Sequence, residues 1–143
     1  MSKKILAYAS RGGHWVQLKR IIDGSDFKLT TISTLGNDEA DYIVPDFSRS
    51  TWYRFLGVLI SISKIVFRNN PDIVITTGAA PGVIIALLYR VKGTKVIWID
   101  SIANSKKLSL SARIVRPFVT VVLTQWEYLA DESKNILYKG AVF

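Results

Sequence analysis

The chain has 143 residues, of which 49% are hydrophobic, a formal net charge of +8 and no cysteine. This length fits one domain, residues 1–143, that is long enough to bury a sizeable core. The lack of cysteine excludes a disulfide framework, a thiolate nucleophile and a thiolate metal site. A mean hydropathy of +0.24 is high for a freely soluble domain and points to a membrane or a partner surface.

The excess positive charge lies in the middle of the chain. From Phe47 to Trp126 there are 11 basic and 2 acidic residues, whereas the six basic residues before Phe47 are balanced by six acidic ones. The same region holds the most apolar segments, and this combination suits an anionic bilayer surface. We do not expect nucleic acid as a partner, because neither a reading helix nor exposed aromatic residues on strands accompany the charge.

Short apolar runs alternate with helical patterns along the chain. The first apolar run ends in a glycine turn and is too short for a signal peptide. The pattern of the tail from Asn135 predicts neither a helix nor a strand, and residues 125–131 are predicted to form a helical turn. Strands are predicted at 4–9, 27–33, 42–45, 72–77, 95–99 and 119–123, and helices at 15–22, 52–67, 83–89 and 110–116. This alternation predicts an α/β fold, a Rossmann-like parallel sheet with helices on both faces.

Four polar loops follow the predicted strands and meet at one edge of such a sheet, which is where its ligands bind. In the first loop, Gly12 and Gly13 precede a helix, so backbone N–H groups and the helix dipole favour an anion there, and Arg11 adds a full charge. The alternative is a tight turn whose glycines only satisfy backbone torsions. The loops are Ser10–His14, Gly78–Gly82, Asp100–Asn104 and Thr124–Glu127.

The segment from Trp52 to Phe67 is apolar over more than the single stripe that a helix needs to pack on a sheet. It is too short to span a bilayer comfortably, because spanning takes about 20 apolar residues. Three interpretations remain open: a helix buried between the sheet and another element, an interfacial membrane contact, or a partner surface.

The polar groups at the loop edge could serve several kinds of chemistry. A dinucleotide is disfavoured, because the first turn lacks the three-glycine fingerprint and no carboxylate follows Thr34. A hydrolase is disfavoured, because neither Ser10 nor Ser101 lies in a nucleophile elbow. The single histidine, His14, is either a structural residue or the only available imidazole base, and no metal site or cofactor is expected. Two hypotheses remain: a binding half-site for a phosphorylated, lipid-linked substrate, and a stand-alone nucleotide- or phosphosugar-binding protein.

The four loops also carry a family resemblance. Ser10-Arg11-Gly12-Gly13-His14, Thr77-Gly78-Ala79-Ala80-Pro81-Gly82-Val83, Ile99-Asp100-Ser101 and Gln125-Trp126-Glu127 occur in this order and spacing. Together they resemble bacterial polysaccharide-biosynthesis proteins related to the membrane-anchoring subunit of the eukaryotic two-subunit transferase that makes dolichol-diphospho-chitobiose. The resemblance spans nearly the whole chain, as far as Lys139-Gly140-Ala141-Val142-Phe143.

The resemblance implies the N-terminal half of a GT-B glycosyltransferase, the half that handles acceptor and membrane. A separate donor-binding subunit would hold the UDP-sugar, and the acceptor would be a polyprenyl-diphosphate-linked saccharide for a cell-surface polysaccharide such as an exopolysaccharide or capsule. The general base would be His14, Asp100, Glu127 or a group of the partner. The substrate-binding residues would be Ser10, Arg11, Gly12, Gly13, His14, Gly78, Ala79, Ala80, Gly82, Asp100 and Ser101.

Two features depart from that family pattern. Arg11 stands where small or hydroxyl residues are usual, which implies stronger diphosphate binding or an altered choice of acceptor. The chain begins directly with its first strand, whereas the eukaryotic subunit carries an N-terminal membrane helix. Attachment to the cytoplasmic face of the cell membrane is therefore expected to be peripheral, through Trp52, Tyr53, Arg54, Phe55, Leu56, Arg113 and Arg116.

Overall fold

A computed structural model describes residues 2–34 and 36–142 of the protein. Its strands are β1 (Lys4–Tyr8), β2 (Lys28–Thr34), β3 (Tyr42–Val44), β4 (Ile73–Thr76), β5 (Lys95–Ile99), β6 (Val121–Thr124) and β7 (Ile136–Tyr138). Its α-helices are α1 (Gly13–Ile22), α2 (Phe55–Arg68), α3 (Ala80–Val91) and α4 (Leu110–Val115). Short 3₁₀ helices occupy Arg49–Arg54, Glu127–Leu129 and Glu132–Lys134.

The strands form one parallel sheet in the order β3-β2-β1-β4-β5-β6-β7. The chain first builds outward from β1 through β2 to β3, then crosses back to β4 and builds in the opposite direction. This reversal places a switch point between β1 and β4, where the loops that follow the two strands diverge and leave a crevice. The predicted fold class, a Rossmann-like parallel sheet, is confirmed.

The two faces of the sheet are covered by different helices. Leu6 and Tyr8 of β1 are fully buried in the larger core, which α2, α3 and α4 cover, while Ala7 and Ala9 contact Trp15 and Leu18 of α1 on the other face. This division follows from the alternation of side chains along a strand. The predicted arrangement with helices on both faces is therefore confirmed.

The structure differs from the predicted elements in three places. The ambiguous tail contains a seventh strand, β7, whose three residues pair in parallel with β6. Helix α3 begins at Ala80, three residues before its predicted start, because Pro81 is well accommodated in a first helical turn. The predicted helix from residue 52 begins as the 3₁₀ turn Arg49–Arg54 and becomes α-helical at Phe55.

Helix α3 approaches the sheet very closely at Gly82. A Cβ atom at Gly82 would lie 2.6 Å from Thr76 Oγ1 and 3.2 Å from two ring carbons of Tyr8. Because Thr76 and Tyr8 are fully buried, neither has room to move away. We expect Gly82→Ala to lower the free energy of unfolding by about 1–3 kcal/mol, as overpacked core substitutions do.

Urea denaturation measures this effect, and Gly57→Ala is the matched control. Gly57 lies in the exposed part of α2, with no atom within 4 Å of its Cβ position. Alanine there is expected to stabilise the helix by about 0.5–1 kcal/mol. If Gly82→Ala raised the free energy of unfolding as Gly57→Ala is expected to do, that result would contradict the proposed close contact.

Candidate functional site

The first glycine loop presents open backbone donors at the start of α1. The first intrahelical hydrogen bond runs from Val16 N–H to Gly12 O (3.1 Å), so the N–H groups of Gly13, His14 and Trp15 precede it. No side chain caps the helix, and its first turn holds no acidic residue. Cβ atoms at Gly12 and Gly13 would meet no atom of the described residues within 4 Å, and Gly12 has a φ of 89°. The loop therefore has the geometry of a backbone anion site.

The second glycine loop is strained. Gly78 has a φ of 116°, and Ala79, the residue before α3, has a φ of 66° and a ψ of 163°. Such a conformation costs an alanine about 1–3 kcal/mol and is typical of functional sites. Gly82 N–H donates to Ala79 O (3.1 Å), and Pro81 has no N–H. The prediction that Gly82 contacts substrate is not supported by this geometry, since its N–H is used and its side-chain position faces the core.

His14 joins the two loops. Its Cε1 lies 3.2 Å from the Cβ position of Gly78, and its carbonyl oxygen accepts a long hydrogen bond (3.5 Å) from Thr77 Oγ1. The imidazole Nδ1 is buried and finds no hydrogen-bond partner among the described residues. Buried polar atoms are normally satisfied, so the missing hydrogen bond of this nitrogen makes His14 unusual among the residues between the loops.

A groove with two arginines continues from the first loop. It encloses about 310 Å³ and is lined by Arg11, Thr34, Gly36, Asp46 and Arg54. Arg11 N–H donates to Thr34 Oγ1 (3.0 Å), which fixes the backbone from which the guanidinium extends. Neither arginine forms a salt bridge within residues 2–34 and 36–142. Because Arg54 directly precedes α2, the groove connects the loop to the apolar segment.

A buried phenol lies beneath the second loop. Burial raises the pKa of Tyr8 well above 10, and the negative charge of Asp46 raises that pKa further. Within the described residues, neither Tyr8 Oη nor Thr76 Oγ1 has a hydrogen-bond partner. The Tyr8 ring thus supports α3 through its apolar surface.

The raised pKa of Tyr8 predicts a loss of stability in alkali. The folded protein favours the neutral phenol, so the resulting stabilisation is complete below about pH 10 and is lost as the pH rises through the folded-state pKa. Tyr8→Phe is expected to reduce this decline and to be as stable as the parent near neutral pH, because no buried hydrogen bond is lost. Chemical denaturation at several pH values measures the free energy of unfolding near neutral pH and its decline in alkali.

Tyr53→Phe, which changes an exposed tyrosine, should show the same decline as the parent. If Tyr8→Phe and Tyr53→Phe reduced the decline equally, the assignment to Tyr8 would be contradicted.

Asp100 is buried and committed to internal hydrogen bonds. Its Oδ2 accepts from Ser109 N–H (2.8 Å), and its Oδ1 accepts from Ser109 Oγ (2.7 Å) and Asn104 Nδ2 (3.3 Å). Ser109 in turn caps α4 by accepting from Ala112 N–H (3.1 Å). The prediction of Asp100 as a base or substrate ligand is not supported by this geometry, because its carboxylate holds loop 101–109 in place.

The other predicted edge residues fall into two groups. Ser10 is buried, and Ser101 is half-buried, with its Oγ accepting from Ala103 N–H (3.2 Å). Glu127 is exposed, and its carboxylate makes no hydrogen bond or salt bridge in the described part of the chain. Of the three predicted bases, Glu127 has an exposed carboxylate, and His14 is half-buried with a buried Nδ1 that lacks a partner among the described residues.

The apolar segment resolves into a buried stripe and an exposed surface. Helix α2 buries Val58, Ile62, Ile65 and Val66. Trp52 and Leu56, by contrast, are 72% and 63% exposed, and Tyr53, Arg54 and Phe55 are exposed beside them. Arg113 is exposed and Arg116 half-buried near α4, on the same side of the sheet. The fully buried alternative is therefore wrong for residues 52–56.

Every helix in residues 2–34 and 36–142 falls short of the length and apolarity needed to cross a bilayer.

Sequence reasoning missed two residues of this region. Arg54 was predicted only as a membrane contact, although it also lines the arginine groove; the crossover from β3 to β4 that brings it there is not visible as a motif. Ser109 was not singled out, although a serine directly before an apolar helical pattern is a recognisable N-cap signal.

A parallel sheet with a switch point beside two glycine loops is a Rossmann-like domain, and a solved structure shares this fold. MurG from Acinetobacter baumannii superimposes with a TM-score of 0.73 at 13% sequence identity, covering 99% of this chain and 47% of that one. An identity this low shows the fold alone.

The chain belongs to the family described as "Oligosaccharide biosynthesis protein Alg14 like", whose profile matches residues 38–142. The UDP-N-acetylglucosamine transferase subunit alg14 of Schizosaccharomyces pombe is 27% identical, over 98% of this chain and 83% of the relative. The corresponding subunit of Cryptococcus neoformans is 33% identical, over 57% of this chain and 38% of the relative. These relatives are eukaryotic, so the bacterial origin that the resemblance implied has no support from them, whereas the family itself is confirmed.

Proposed function

We propose that this chain is the acceptor-binding and membrane-recruiting subunit of a two-component glycosyltransferase. The observation that carries the proposal is the arginine groove. Arg11 of the first glycine loop and Arg54 of the exposed apolar segment both line it. A lipid diphosphate at a bilayer surface needs such a junction of anion site and apolar surface. The names of the fungal relatives, UDP-N-acetylglucosamine transferase subunits, favour the same function.

In this proposal the two glycine loops and Arg11 bind the diphosphate of a polyprenyl-linked saccharide. The free N–H groups of Gly13 and His14 supply oriented donors, and the arginine supplies charge. Trp52, Tyr53, Phe55 and Leu56 enter the interfacial region of the bilayer, where Arg54 and Arg113 meet anionic headgroups. Attachment is peripheral and on the cytoplasmic face of the membrane.

Sugar transfer requires that the acceptor hydroxyl lose its proton while its oxygen bonds to the anomeric carbon of the donor and the bond to UDP breaks. The donor-binding partner holds the UDP-sugar across the cleft. His14 is the first candidate for the base in this chain, because it lies between the two glycine loops that hold the acceptor in this proposal. Glu127 is the second candidate. The finished glycan, in this proposal, is a cell-surface polysaccharide.

Reconstitution tests the proposal. The purified chain is combined with a co-expressed donor subunit, anionic vesicles, UDP-N-acetylglucosamine and a short-chain polyprenyl-diphosphate N-acetylglucosamine. We expect transfer only when both proteins are present, and binding of the acceptor by this chain alone. Efficient transfer without the partner would refute the dependence, and tight binding of UDP without lipid acceptor would instead favour the stand-alone nucleotide-binding protein.

A further inference from the structure

Two aromatic side chains stand beside the loop edge, directly after β6. The rings of Trp126 and Tyr128 have centroids 5.9 Å apart and planes inclined by 39°. The Tyr128 side chain is 67% exposed and Trp126 is half-buried. Between them the chain places Glu127, whose carboxylate is exposed and without a partner in the described residues.

Both rings are fixed at their polar ends. Trp126 Nε1–H donates to Ile102 O (2.8 Å), and the Tyr128 hydroxyl donates to Ser105 O. The loop that supplies these two carbonyls is itself held by Asp100. Rings that are already ordered lose little conformational entropy when a ligand packs on them. Their apolar surfaces are therefore prepared for a flat, partly apolar ligand.

The location matches a sugar attached to a diphosphate. Strand β6 lies two positions from β4 in the sheet, and two strand spacings amount to about 10 Å. The loops that follow β4 and β6 open at the same end of the parallel sheet, so a saccharide attached to a diphosphate in the glycine loops would extend along the edge that carries the two rings. A pyranose ring offers one face of C–H groups to aromatic rings and hydroxyl donors to a carboxylate.

We propose that Trp126, Glu127 and Tyr128 form a saccharide platform for the acceptor sugar nearest the diphosphate. The aromatic rings stack on the C–H face of that sugar, and the Glu127 carboxylate accepts hydrogen bonds from its hydroxyl groups. This inference rests on the proposed function, since it takes the acceptor to be a diphosphate-linked saccharide.

Calorimetric titration of the full chain with two probes tests the platform. One probe is farnesyl diphosphate, and the other is farnesyl-diphosphate-linked N-acetylglucosamine. We expect the sugar-bearing probe to bind more tightly to the parent chain. Tyr128→Leu, which removes a ring, should lower the affinity for that probe by about threefold to tenfold. It should leave the affinity for the sugar-free probe unchanged.

Two further variants separate stacking from support of the loop. Tyr128→Phe loses the hydrogen bond to Ser105 but keeps the ring, so it should retain more affinity for the sugar-bearing probe than Tyr128→Leu does. Phe27→Leu removes an exposed aromatic ring just before β2, at the opposite edge of the sheet, and serves as the matched control. Equal losses in Tyr128→Phe and Tyr128→Leu would show that the residue only supports the loop.

The outcomes also separate this inference from the proposed function. If the parent binds both probes equally, the platform is refuted while diphosphate binding stands. If the parent binds neither probe, the proposed function fails and the platform fails with it. Circular dichroism of each variant confirms that the comparison is made between folded proteins.

Discussion

Gly13→Asp is expected to weaken binding of a lipid diphosphate by a factor of about 100 or more without destabilising the protein. A carboxylate in the first turn of α1 interacts favourably with the helix dipole, which contributes about 0.3–1 kcal/mol to folding. Space is available, because no atom in the described part of the chain lies within 4 Å of the Cβ position of Gly13. The same carboxylate stands where the diphosphate would lie, and two like charges about 4 Å apart near a protein surface repel by several kcal/mol. A tenfold loss corresponds to about 1.4 kcal/mol.

Calorimetry with farnesyl diphosphate measures the affinity, and thermal unfolding measures the stability. Gly13→Asn is the matched control, because it has the same shape without the charge, and it should lose much less affinity than the aspartate. If the two variants lose affinity equally, the glycine matters for shape and the anion does not lie at the helix start. If Gly13→Asp binds like the parent, the first loop is not the diphosphate site.

The second large effect is expected at the membrane. Replacing Trp52, Tyr53 and Leu56 together by serine should reduce binding to anionic vesicles by a factor of about 100 or more. Burying a large apolar side chain contributes about 1.5–3 kcal/mol, and all three are exposed in the free protein. For the same reason the free energy of unfolding should change little, since exposed substitutions usually cost under about 0.5 kcal/mol each.

Vesicle flotation with and without anionic lipid measures this binding. The control replaces Phe67 and Val91 by serine. These two residues are 84% and 87% exposed and lie at the far ends of α2 and α3. These ends lie at the opposite edge of the sheet, so the control should bind vesicles nearly as well as the parent. A loss as large as that of the triple variant would show that contact with the bilayer is not confined to residues 52–56.

The sheet was predictable from sequence because its central strands are continuous apolar runs. Along residues 73–76 and 96–99 buried side chains alternate with half-buried ones or follow one another, and polar or glycine-containing loops mark the ends of both strands clearly. Strand β7 was missed for the opposite reason. Its three residues gain their strand character from pairing with β6, and a run so short carries no period of its own.

The candidate site was predictable in its loops and less so in its side chains. The Cβ positions of Gly12 and Gly13 have open space among the described residues, whereas that of Gly82 faces Thr76 and Tyr8. Sequence alone does not distinguish a glycine required by a ligand from one required by close packing. Asp100 illustrates the same limit, because its bonds to Ser109 depend on how an intervening loop folds back.

The contact between His14 and Gly78 has a consequence for how the two loops recognise charge. Because the imidazole lies directly against the second loop, it helps to set the separation of the two glycine loops. If each loop binds one phosphate, as the proposed function requires, binding of the first of two linked phosphates presents the second to the other loop at a high effective concentration. A monophosphate gains nothing from that arrangement. Selectivity for diphosphates over monophosphates would then come from the rigidity of the pair of loops, and enlarging Gly78 would weaken it by forcing the loops apart.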